Sequence, residues 1–337
     1  MDLRRTQLTV LSNALYETDS TPVTVSHPSD EVGDLLEFDL GPGDASEVRV
    51  LADAEDYADA RTAVQQAHGD PAAEELPEWR AYVNAFVAGG LLEPSNAAEL
   101  EAFLDRHGSP DLSAGHKPVV AGFDTNLVPW QLADRLGLSP GQDGTVNGYA
   151  LATGVRDELD WNYKRDDTRA LEAAFGDEFD ALWNQPAGAN RQGRLGEIHY
   201  RQLRDHRYAD EVPSDTGDEA IVSAYDEYQT DGRKDVLLFS NDRDFVELAK
   251  SHRILAQRVE FPDALPESMT ASWSAIQDTL YVLTVLFGVL TLPKVTLYGV
   301  WKGKGGQAWH DERLRVDCRS PAVEPLLERD LEILDAR

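Results

Sequence analysis

Apolar residues change their spacing along this chain, and the changes divide it into regions. Between residues 1 and 110, LTVL (8–11), PVTVSH (22–27), LLEFDL (35–40) and EVRVLA (47–52) are short alternating runs bounded by Ser, Asp, Gly and Pro, the pattern of strands and turns. Helical spacing follows in residues 52–68, 76–90 and 95–108, with Ser95 or Asn96 placed to cap the last helix. Strands followed by helices predict an N-terminal α+β unit. GSPDLSAGHKP (108–118) has the composition of a linker.

Beyond it the rhythm alternates. PVVAGF, YALATGV, KDVLLFS and LAQRVEF read as apolar strands, and DEAIVSAYDEYQTDG and RDFVELAK as amphipathic helices. Strands alternating with helices predict an α/β domain over residues 117–262, with a Rossmann-like parallel sheet covered on both faces. The last part, 263–337, predicts an apolar helix and a β-hairpin of KVTLYGVW with AWHDERLRVDC across the turn KGKGG, then a closing helix, as a C-terminal extension. The uncharged run 279–293 is shorter than the roughly 18–20 residues of a bilayer crossing and predicts a buried helix rather than a membrane contact.

Charge changes the picture. Among 337 residues, 61 Asp and Glu face 31 Lys and Arg, a net charge of -30, and only seven of the basic residues are Lys. Such a surface suits a halophile's concentrated-salt cytoplasm. At about 1 M salt the Debye length is only ~3 Å, which screens the self-repulsion. The same salt weakens any argument from net charge against nucleic-acid binding. One cysteine, Cys318, excludes an intrachain disulfide and a cysteine-rich zinc site. No secretory signal is expected in the polar N-terminal residues, so the expected location is cytoplasmic.

The candidate chemistry lies at the strand ends. Asp124 follows VVAGF, Asp242 and Asp244 follow VLLFSN, Glu158 lies just after YALATGV, and Asp218 opens the helix before VLLF. In an open parallel sheet, ligands bind beyond the carboxyl ends of strands. Clustered carboxylates repel one another unless protons or a hard divalent cation compensate them. Glu197, in GEIHYRQL, is a rival for the glutamate position.

The blocks FDTN (123–126), ATGVRDEL (152–159), DEAIVSAY (218–225) and LFSNDRDF (238–245) resemble, in order, the signature blocks of PIN-domain ribonucleases. The resemblance implies a small Rossmann-like nuclease domain that hydrolyses RNA with Mg²⁺ or Mn²⁺. It implies Asp124, Glu158, Asp218 and Asp242 as the catalytic acids and, with Asp244, as the metal ligands, supported by Asn126, Ser240 and Asn241. The stretch between Glu158 and Asp218 is longer than a minimal domain of that kind needs.

Candidate RNA contacts are the arginine-rich strip of Arg191, Arg194, Arg201 and Arg204, with Tyr200 and Tyr208 available to stack. Lys302 and Lys304 in the glycine-rich turn are further candidates. Expected partners are an RNA substrate and a protein partner or second copy of the chain. The rival readings are a DNA- or structure-selective nuclease, an inactive RNA- or protein-binding scaffold, and a phosphatase-like hydrolase with Asp124 as nucleophile. The last class needs a second Asp where Asn126 stands.

Overall fold

Five parallel strands carry the candidate acids. The computed structural model describes residues 1–41, 45–140, 144–159, 164–232 and 234–336. In chain order the five strands are Val119–Phe123, Gly148–Ala152, Asp210–Val212, Asp235–Ser240 and Leu255–Arg258. In space they run third, second, first, fourth, fifth, and every pairing is parallel. The order reverses between the first and fourth strands, so the topological switch point lies there. Val236, Leu237, Leu238 and Phe239 are all fully buried, as continuous apolar strands of a sheet covered on both faces must be.

Two helix tyrosines and a phenylalanine fasten this sheet. The Tyr225 hydroxyl donates to Ala150 O and accepts from Ala152 N, each at 3.1 Å. Its ring passes so close to the first strand that a Cβ on Gly122 would sit 3.0 Å from it. Tyr200 donates to Leu151 O, and Phe103 packs edge-on against Phe239. These elements belong to one compact unit, residues 93–161 and 192–262.

The other unit comprises residues 1–92, 162–191 and 263–337. Its eight-stranded sheet is antiparallel throughout. The order is Asp2–Arg4, Arg313–Cys318, Val295–Tyr298, Val289–Leu292, Val23–Ser26, Asp34–Asp39, Ser46–Val50 and Ser268–Ala271. Helix Trp273–Phe287, capped by Ser272 through Ala275 N at 3.1 Å, packs against helices Trp79–Gly89 and Leu8–Glu17. At Gly89 a Cβ would lie 1.8 Å from Thr279 Oγ1, so this crossing needs glycine. No helix among the described residues is long and apolar enough to cross a membrane.

Several expectations are corrected. The division into residues 1–110, 117–262 and 263–337 gives way to two discontinuous units. Strands from both ends of the chain complete each other's hydrogen bonds, for example Leu3 opposite Leu314 and Val48 opposite Met269, a demand no local composition reveals. The stretch 108–118 is not the boundary, because helix Ala97–His107 already belongs to the parallel-sheet unit. LTVL begins helix Leu8–Glu17, whose buried Leu8, Leu11 and Leu15 keep helical spacing. The hairpin pairing of Val295–Tyr298 with Arg313–Cys318 holds, but the connection includes a short helix, Gly306–His310. The apolar run ends in a strand, Val289–Leu292. Much of the surplus length between Glu158 and Asp218, residues 162–191, belongs to the antiparallel-sheet unit.

Candidate functional site

The site is built on the carboxyl edge of the parallel sheet at its switch point. Asp124 leaves the first strand and is 2% exposed. Its Oδ2 accepts from Ser240 Oγ at 2.6 Å and from Asn126 Nδ2 at 3.2 Å. Ser240 ends the fourth strand, and its hydroxyl oxygen also accepts from Asp242 N at 2.8 Å. Asp242 caps helix Arg243–Ser251 by accepting from Asp244 N at 2.7 Å. Register explains the convergence: Phe123 lies opposite Phe239, so the residues that follow each emerge side by side.

Asp218 opens helix Asp218–Gly232 and is exposed. The preceding loop is pinned to helix Thr153–Glu158: Ser214 Oγ accepts from Gly154 N at 2.8 Å, and Ser214 N donates to Thr153 Oγ1 at 2.9 Å. A Cβ on Gly154 would come within 2.1 Å of Asp215 O, so glycine permits the approach. Glu158 ends that helix half-buried and accepts from Gly217 N at 2.6 Å and from the Thr125 hydroxyl.

The electrostatics link these acids. Burial raises the Asp124 carboxyl to about 6, against the bonds from Ser240 and Asn126 that favour its charged form, and Asp218 adds repulsion. Asp218, although largely exposed, is itself raised, first by partial withdrawal of its carboxyl from water and then by Asp242, Glu158 and Asp244. The five expected acids therefore share one electrostatic neighbourhood. They do not form a tight cage: among the described residues no three of His, Cys, Asp and Glu stand close enough to hold one ion together. An all-carboxylate donor set still suits a hard ion such as Mg²⁺, which keeps several waters and needs only one or two carboxylates. It does not suit zinc, which draws on nitrogen and sulfur.

The remaining candidates lie elsewhere. Glu197 is 3% exposed and ion-paired with Arg194 at 2.9 Å and with Arg201, which identifies it as a structural acid. The expected RNA strip is largely consumed by internal pairing. Arg191 is fully buried, paired with Glu75 and bonded to Leu286 O at 3.1 Å. Arg194 is buried and Arg204 pairs with Asp205 at 2.6 Å. Tyr200 is buried and cannot stack on a base, whereas Tyr208 is exposed. Lys304 is buried too. Its ammonium donates to Gly299 O and Arg313 O at 2.6 and 2.8 Å and lies 3.7 Å from the Trp309 ring centre. Lys302 is exposed over the Trp183 ring. Arg191 meets a partner distant in sequence, Glu75, whereas Arg194, Arg201 and Arg204 pair within four residues and Lys304 bonds within nine. Burial and local pairing, rather than sequence separation, decide these cases.

Thr125, Gly217 and Tyr225 were not singled out from the sequence. A lone glycine inside the apolar strand VVAGF was the available signal for Tyr225, because such a glycine marks close approach of another group. Comparison of the chain with protein-family models, curated proteins and solved structures gives no match.

Proposed function

We propose that this protein is a metal-dependent endoribonuclease whose parallel-sheet unit is PIN-like. The observation that carries the reading is that Asp124 and Asp242 emerge side by side at the switch point, with Asp218 in the same electrostatic neighbourhood. Asp124 and Asp218 are both raised first by burial and then by neighbouring acids. Burying a carboxylate beside another is costly, and a divalent cation relieves that cost.

One or two of Asp124, Asp218 and Asp242 would hold Mg²⁺ or Mn²⁺, with water completing the coordination and Asp244 nearby. When bound, such an ion neutralises phosphate charge and lowers the pKa of water. The chain's own residues provide the setting. Ser240 and Asn126 orient Asp124 by donating to its Oδ2, and Ser240 ties it to the cap at Asp242.

The test is cleavage of labelled single-stranded RNA and DNA in concentrated KCl with Mn²⁺, a medium chosen for the acid-rich composition. Wild type is expected to cut RNA, and Asp124→Asn and Asp242→Asn to lose at least about 100-fold. DNA cutting alone would keep the site and change the substrate. Absence of both cleavage and Mn²⁺ binding in wild type would sink the reading in favour of a binding scaffold.

A further inference from the structure

Glu158 uses its carboxylate differently from the other acids. Both of its oxygens are engaged by protein donors: the Thr125 hydroxyl bonds to Oε2, and Gly217 N bonds to Oε1 at 2.6 Å. Among the described residues nothing donates to the carboxylate of Asp218. The two donors stand next to the acids that matter most. Thr125 adjoins Asp124, and Gly217 adjoins Asp218. Gly217 has φ 95°, a left-handed conformation that glycine adopts without strain, and this aims its N–H at the end of helix Thr153–Glu158.

One carboxylate therefore joins three segments: the exit of the first strand, the end of helix Thr153–Glu158 and the turn into helix Asp218–Gly232. We infer from this geometry that Glu158 is a positioning residue, a latch that sets Asp124 and Asp218 at their working separation through Thr125 and Gly217, rather than a direct ligand of the ion. The consequence for metal binding rests on the nuclease reading; the latch itself does not. Residues that orient ligands without touching the metal change affinity by roughly 10- to 100-fold when removed.

Glutamine distinguishes a latch from a ligand. In Glu158→Gln the amide oxygen still accepts from Gly217 N, and the amide NH₂ donates to the Thr125 hydroxyl, which has acceptor capacity. Glu158→Ala and Thr125→Val break the latch, and Thr125→Ser restores it. The experiment is Mn²⁺ titration of the full chain in concentrated KCl, read by the electron paramagnetic resonance signal of free Mn²⁺. It is paired with hydrogen exchange of the Gly217 amide in EDTA.

Glu158→Gln and Thr125→Ser are expected to bind Mn²⁺ within about threefold of wild type, and Glu158→Ala and Thr125→Val about 10- to 100-fold more weakly. Gly217 should stay protected in Glu158→Gln and lose protection in Glu158→Ala. The inference is overturned if Glu158→Gln weakens Mn²⁺ as much as Asp124→Asn while Thr125→Val binds normally. It is also overturned if the Gly217 amide is unprotected in wild type. A wild type that binds no Mn²⁺ but protects Gly217 overturns the nuclease reading and supports the latch.

Discussion

Glu75 and Asp124 are both withdrawn from water, at 0% and 2% exposure, and their surroundings are opposites. Glu75, in the antiparallel-sheet unit, is paired with Arg191 and with Arg165 at 2.6 Å, and accepts from Gly188 N at 3.2 Å. Asp124, in the parallel-sheet unit, has neutral donors and the repulsion of Asp218. A buried carboxylate matched by guanidinium groups is complete as it stands. One surrounded by hydroxyl, amide and more acid remains short of positive charge. The contrast separates architecture from chemistry in a chain where acids are everywhere. His27 adds a third solution: buried against Phe175, Phe179 and Phe287, it gives up its charge and accepts from Ser29 N at 3.1 Å.

Removing the charge that Arg191 and Arg165 share should have the largest effect. Glu75→Gln leaves buried guanidinium groups under-compensated and is expected to cost about 3–5 kcal/mol, measured by denaturant unfolding in KCl. A loss below about 1 kcal/mol would erase the contrast with Asp124.

Asp124→Asn should act in the other direction in metal-free protein. The folded carboxyl is raised to about 6, above its unfolded value near 3.8. It therefore opposes folding as pH rises from 3.8 to 6, with the full penalty above that. The variant is expected to gain up to about 3 kcal/mol at pH 7.5 in EDTA and to lose that advantage below pH 4. Equal stability of the two proteins at pH 7.5 would show that the bonds from Ser240 and Asn126 already satisfy the charge.

His27 sharpens the comparison with the opposite sign. Burial, and then Arg191, lower it to about 3, against the attraction of Glu31. Its unfolded value is near 6.5, so the stability it contributes is full above 6.5 and is lost as pH falls toward 3. Between pH 6 and 4.5 this should amount to about 2 kcal/mol, visible as a slope that His27→Asn flattens. An unchanged slope would mean the ring protonates without unfolding.

The smallest effect is expected at Arg204, partly exposed and paired with Asp205. Arg204→Ala should change stability by less than about 0.5 kcal/mol and leave RNA affinity within twofold in a filter-binding assay. A larger loss of affinity would return the arginine strip to the substrate.

The parallel sheet was legible because its strands are buried on both faces, so VVAGF and DVLLFS stand out as uninterrupted apolar runs. Asp124 and Asp242 were legible because each closely follows a recognisable apolar strand, and Asp218 because it opens a recognisable helix. Part of what the sequence concealed depends on distant partners. Arg191 and Arg204 share one helical strip, yet only the first meets Glu75 in a buried pair. Thr125, inside the block FDTN, owes its role to a bond with Glu158 at the end of helix Thr153–Glu158, which no local pattern signals. LTVL was misread because four residues cannot distinguish alternation from a helix turn; Leu15, one turn further, decides it.

The interleaving of chain ends in the antiparallel sheet imposes an order on synthesis. When a ribosome has released residue 262, all five strands of the parallel sheet are outside it, and that unit can fold. The antiparallel sheet then still lacks Ser268–Ala271, Val289–Leu292, Val295–Tyr298 and Arg313–Cys318. Val23–Ser26 waits for its partner at Thr291, and Asp2–Arg4 waits until Arg313–Arg315 is made. Pairings across such sequence separation form slowly and leave strand edges open meanwhile. A nascent chain stalled late in translation would thus display a finished parallel-sheet unit beside an adhesive, half-built antiparallel one.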